Sequence, residues 1–147
     1  MSPVFEATIS EGVPGPRPKI ARGLYDFAVD GGAISAIPLM GAAHIPAGAT
    51  IYGGWIEVHT QLTSGGAATI AVGVETTTDI VPAIAVASWT AGRKRIVPGL
   101  TVGATLAASD VVRTTAARDI TMTIAAVALT AGKFSVLLFY VDPLVTL

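Results

Sequence analysis

Strict alternation of apolar and polar residues recurs in short stretches along this chain, and it confines most of the chain to β-strands. Ile56, Val58, Thr60 and Leu62 interleave with Glu57, His59 and Gln61. Ile70, Val72 and Val74 interleave with Thr69, Ala71 and Gly73, and Ile120, Met122 and Ile124 with Thr121 and Thr123. Successive strand side chains point to opposite faces, so the first set of each group is expected to face a core and the second water or a partner. Phe134 to Val141, FSVLLFYV, is apolar on both faces, which predicts a strand in the middle of a sheet.

Turn chemistry separates these stretches. In Ile45-Pro46-Ala47-Gly48, proline presets one φ and glycine can supply a positive one just before the strand from Ile51. Ser64-Gly65-Gly66 and Thr130-Ala131-Gly132 are read as short hairpin or corner turns. LTSGG, WTAGR and LTAGK share an apolar residue, Thr, a small residue and Gly, but their intervals are too unequal for a solenoid repeat. Val102 to Ala117 holds enough alanine for a short helix capped at Ser109-Asp110, while its Thr and Val suit a strand and loop equally. The expected fold is all-β: a single β-sandwich, jelly-roll-like, of about eight antiparallel strands.

At 147 residues the chain fits one domain, large enough to bury roughly 70% of its unfolded surface. Residues 1–23 differ from the rest. Pro3, Pro14, Pro16 and Pro18 interrupt any ladder, and Arg17, Lys19 and Arg22 cluster at the end. Proline-rich backbone favours extended conformations, so 1–23 is read as an N-terminal arm, with a disordered terminus as the alternative, and 24–147 as the sandwich.

Charged residues make up only 13% of the chain, against about 25% in an ordinary soluble domain. A membrane helix does not account for this, because FSVLLFYV is far shorter than the roughly 20 residues a spanning helix needs. MSPVFEATISEGVPGPRPK carries acids and prolines where a signal peptide carries a basic start and an apolar core. With no cysteine, disulfides, thiolate catalysis and Cys-based metal sites are excluded, and the fold suits a reducing cytoplasm. Absence of asparagine removes N-glycosylation acceptors and Asn-Gly turns. From Leu24 to Gly92 there is no Lys or Arg, while Asp26, Asp30, Glu57, Glu75 and Asp79 give five acids. Sheet edges are commonly guarded by lysine, so a lysine-free β segment predicts edges covered by a neighbouring subunit or by closure of the sandwich.

Catalytic groups are sparse. His59 and Glu57 share a strand face but lack a third ligand or nucleophile, and His44 beside the Ile-Pro turn reads as a loop residue. The six aspartates lack calcium-loop spacing, there is no Gly-x-Ser-x-Gly elbow, and Gly132-Lys133 lacks the earlier glycine of a phosphate loop. No enzyme activity and no cofactor are expected. Arg93-Lys94-Arg95 forms one dense basic cluster, placed on a loop between Gly92 and Pro98. Without interleaved aromatics, and on a chain of net charge −1, it predicts a protein contact or a solvated loop in preference to nucleic acid. Trp55 and Trp89 could make a sugar platform, but both sit in runs that read as core.

The run IPAGATIYGGWIEVHTQLTSGGAATIAVGVE, followed later by LTAGKFSVLLFYV, resembles small β-sandwich virion proteins of tailed bacteriophages. The matching pieces cover 45–75 and 129–141; the proline-rich arm and the Arg93 cluster have no counterpart. The resemblance implies a structural protein of the phage particle, with a capsid decoration or cement protein as the leading form. Such a protein acts on the capsid exterior after assembly in the host cytoplasm, bridges major capsid protein subunits, and often forms a homotrimer. On that expectation Arg17, Lys19 and Arg22 dock on the capsid, Arg93, Lys94 and Arg95 meet acids of a neighbouring chain, and the lysine-free strands pack against sister subunits. Nucleic acid and membrane are not expected partners. The alternatives are a tail or receptor-binding component that recognises a host surface glycan or protein, and a hydrolase built on His59 and Glu57.

Overall fold

The computed structural model describes residues 18–96 and 111–142. Nine strands form among them: β1 (Pro18–Asp26), β2 (Ala36–Pro38), β3 (Thr50–Ser64), β4 (Thr69–Gly73), β5 (Val81–Ala85), β6 (Gly92–Ile96), β7 (Val112–Arg113), β8 (Thr121–Ala125) and β9 (Leu129–Val141). A single helical turn, α1 (Phe27–Asp30), follows β1, and the Asp26 carboxylate caps it by accepting from the Ala28 amide.

All strand pairings are antiparallel. One sheet runs β1-β9-β3-β6, with β7 paired to β3; the other runs β2-β8-β4-β5. With the two-residue β7 set aside, the first strand pairs with the last, the second with the second-last, and so inward to β3–β6 and β4–β5. Successive nested pairs alternate between sheets. That is the strand order of a jelly roll, in which eight strands form two Greek keys.

The core lies between the sheets. Along β9, Phe134, Val136 and Leu138 point inward and are fully buried, and on β8 Met122 and Ile124 do the same. The Phe134 ring sits 5.5 Å from Tyr25 and 5.0 Å from Trp89, measured between centroids. Tyr25 keeps its polar end satisfied by donating to the Gly31 carbonyl at 2.7 Å, and burial pushes its phenol up to about 12.

The proline-glycine corner before β3 is held by one side chain. Gly48 adopts φ 77°, and its amide donates to the Thr114 carbonyl at 2.8 Å. The Thr114 hydroxyl donates to the Pro46 carbonyl at 2.7 Å and accepts from the Ala49 amide at 3.0 Å. Ile45 and Arg118 complete the clamp through two backbone bonds of 2.7 and 2.9 Å.

Several local expectations change. Thr60 faces out, because register shifts between Val58 and Thr63 break the alternation before Leu62 returns to the core. Thr130-Ala131-Gly132 lies inside β9; the turn before it is at Ala126, with φ 68°. Arg93, Lys94 and Arg95 belong to strand β6, since the backbone of Gly92–Ile96 pairs with Val58–Gly54. Of the expected arm, 18–23 forms the first part of β1, and 1–17 lies outside the described residues, as do 102–110 of the alanine-rich stretch.

Candidate interaction surface

The two sheets differ in charge. The strands of the second sheet, AIP, TIAVG, VPAIA and TMTIA, contain no charged residue. Among the described residues, every charged strand residue is in the first sheet: Lys19, Arg22, Asp26, Glu57, Arg93, Lys94, Arg95, Arg113 and Lys133. The edges follow the same division. β1 on one side and β6 with β7 on the other present basic residues, which discourage edge-to-edge pairing. The second sheet instead ends in β2, three residues long and closed by Pro38, and in β5, interrupted by Pro82.

Strand register places side chains in rows across the outer face of the first sheet. Partners in antiparallel pairs share a face, so Ile20, Phe139 and Gly53 form one row. Arg22, Leu137, Trp55 and Arg95 form the next, and Leu24, Ser135, Glu57 and Arg93 a third. Tyr52 stacks on Phe139 at 6.2 Å, and Trp55 meets Phe139 edge-on at 5.2 Å. Ile20 is 55% exposed, Leu24 50% and Tyr52 44%, so an apolar and aromatic field lies open on this face. Singly scattered exposed apolar residues need no explanation, whereas contiguous apolar patches are common at contact surfaces.

Gly54 approaches β9 closely in this region. Gly54 adopts φ 155°, and a Cβ there would sit 2.0 Å from the Leu137 carbonyl oxygen. The glycine lets β3 lie against β9 where Trp55 and Leu137 meet.

Of the six basic residues singled out from the sequence, three come together. Arg22, Arg93 and Arg95 share the outer face, while Lys19 and Lys94 take the opposite parity on the edge strands, and Arg17 lies outside the described residues. Arg93 bonds Glu57 at 2.8 Å and lies 5.1 Å over the Trp55 ring; the bond to Arg93 holds the Glu57 carboxyl below its usual range. Lys19 pairs with Asp142 at 2.5 Å, which raises its pKa, and Lys94 donates to the Thr90 carbonyl. Arg113, not singled out from the sequence, joins the outer face opposite Thr50. So do Tyr52, Leu137 and Phe139; the two-faced apolar character of FSVLLFYV was the signal for the last two.

Trp55 and Trp89 separate. Trp89 is buried in the core, whereas Trp55 is half-buried on the outer face, because the core parity of β3 belongs to Ile56 and Val58. His59 shares a 3.0 Å hydrogen bond with Ser135, but Glu57 is turned to Arg93 and makes no hydrogen bond to His59 among the described residues. No group of three or more metal-ligating side chains forms among the described residues.

A second polar cluster was not anticipated. Glu75 receives two bonds of 2.9 Å from the Arg118 guanidinium and further bonds from the Thr115 hydroxyl and amide. These partners, Arg118 first, lower its carboxyl to about 2. Asp79 accepts from the amides of Val74, Glu75 and Thr76 and so shapes the loop that presents Glu75.

No family model matches the chain, and no curated protein matches it. Its fold is similar to that of a chain in the cyanophage Pam1 capsid asymmetric unit, with TM-score 0.60, 21% identity, and 88% of each chain covered. It is also similar to a chain in the acidic stable capsid structure of Helicobacter pylori bacteriophage KHP30, with TM-score 0.55, 14% identity, and 86% of this chain and 88% of that one covered.

Proposed function

We propose that the chain is a non-enzymatic structural protein of a bacteriophage particle, and specifically a decoration protein that binds the exterior of the assembled capsid and stabilises it. One observation carries this reading: a jelly roll whose fold recurs in two phage capsid structures puts all the strand charge among its described residues in one sheet and none in the other. A module that sits between a shell and its own sister copies has use for two such unlike faces. In this reading the first sheet, with Arg22, Arg93 and Arg95 on its face and Lys19 and Lys94 at its rims, meets the major capsid protein. Arg17, which precedes β1 in the sequence and lies outside the described residues, is assigned the same role. The uncharged second sheet packs against sister subunits in a homotrimer.

The mechanism requires no turnover. A protein that binds only the assembled shell stabilises it by mass action, and a standard interface of about 1,600 Å², repeated over symmetric sites, gains avidity. The test uses shells of the encoding phage prepared without the protein. Purified chain added back is expected to cosediment in a fixed ratio and to raise the shells' disassembly temperature; absence of binding refutes the reading. Exposure of Tyr52 and half-exposure of Trp55 favour a second reading, a tail or receptor-binding component. A glycan array checks it, although Arg93 already occupies a face of the Trp55 ring.

A further inference from the structure

We infer, on the premise of the decoration reading, that the outer face of the first sheet is the surface that docks on the shell, and that it fits an apolar patch flanked by carboxylates. The occupant is decided by charge. This face holds five basic side chains, Arg22, Arg93, Arg95, Arg113 and Lys133, against two acidic ones, Asp26 and Glu57. Both acids are already engaged, Glu57 by Arg93 at 2.8 Å and Asp26 by Lys133 at 3.4 Å. Among the described residues, Arg22, Arg95 and Arg113 make no ion pair.

Two of these three stand at the ends of one row, Arg22-Leu137-Trp55-Arg95. Strands lie about 4.8 Å apart, so three spacings put the two backbone positions roughly 14 Å from one another, with Leu137 and Trp55 between them. Aromatic residues and arginine are the types enriched where protein interfaces carry their energy. A partner that buries Trp55, Leu137 and Phe139 must therefore bring acids to both ends of the row.

Among the described residues, a second copy of this chain offers no such free acids. A two-fold contact presents the same patch from both sides, so face-to-face pairing sets arginine borders against arginine borders with no free carboxylate on either. The described acids elsewhere are also engaged in the chain: Glu75 by Arg118, Asp142 by Lys19, and Asp30, Asp79 and Asp119 by backbone amides. The face is complementary to a different surface.

The experiment compares wild type with Arg22→Glu, Arg95→Glu and the double variant, using shells that lack the protein, with light scattering and thermal unfolding run on each variant. Both arginines are exposed and bond nothing described, so the variants are expected to melt with wild type and keep its oligomeric state. Each reversal is expected to weaken shell binding at least tenfold, and wild-type binding to fall steeply with salt. Wild-type binding with all three variants unimpaired overturns this face as the docking site while leaving the decoration reading intact. No wild-type binding overturns both. A change of oligomeric state in the folded double variant, or tight binding of a single-stranded oligonucleotide abolished by the reversals, assigns the face to a sister copy or to nucleic acid and overturns the inference.

Discussion

Replacing Thr114 by valine tests whether one hydroxyl holds the corner that starts β3. Thr114 is 2% exposed, the one polar residue among the buried ones described, and valine matches its shape. The substitution removes the 2.7 Å bond to the Pro46 carbonyl and the 3.0 Å bond from the Ala49 amide. Ala49 is fully buried, and its amide is left with a long 3.4 Å contact to Pro46. Stranding a buried polar group costs about 1–3 kcal/mol. The residual contact and the partial exposure of Pro46 place each of the two groups near the lower end, so the expected loss is about 2 kcal/mol. Thr114→Ser keeps the hydroxyl and removes one methyl, for about 0.8 kcal/mol. Urea unfolding of the three proteins, at unchanged m-value, reads the difference. A Val variant within about 0.5 kcal/mol of wild type, or a Ser variant worse than Val, refutes the role given to the hydroxyl.

Phe134→Ala empties the contact between Tyr25 and Trp89 and is expected to cost about 3–5 kcal/mol in the same assay. Gly54→Ala places a methyl 2.0 Å from the Leu137 carbonyl and is expected to separate β3 from β9, read as loss of soluble protein or a collapse of the melting transition. Glu75 titrates near 2 in the folded chain, below its ordinary 4.5, so its clamp contributes fully above about pH 4.5 and fades as pH falls towards 2. The melting difference between wild type and Glu75→Gln is therefore expected to be constant from pH 5 to 7 and to shrink below pH 4.5; a difference that grows on acidification contradicts this sign.

The sandwich was legible because alternation and turn chemistry agree: Ile70, Val72, Met122 and Ile124 all face the core that their spacing predicts. Where reading failed, local pattern yielded to pairing. Thr60 keeps the period of β3 in sequence but loses it to a shifted register with β9. Gly92–Ile96 reads as a basic loop, yet charge on an edge strand costs little because one side of its ladder meets solvent, so RKR becomes β6. Trp55 reads as core because tryptophan usually is; its parity, opposite that of Ile56, put it outside. The outer row from Arg22 to Arg95 joins four strands distant in sequence and has no linear signature. The Glu75–Arg118 clamp likewise unites residues 43 apart.

Difference density between shells assembled with and without the chain would locate the chain and show which of its sheets faces the shell. Added density is expected on the shell exterior, with the outer face of the β1-β9-β3-β6 sheet against the major capsid protein and the uncharged sheet turned to sister copies. Density confined to the tail, or an exterior module that turns Trp55 and Phe139 to solvent, would contradict it.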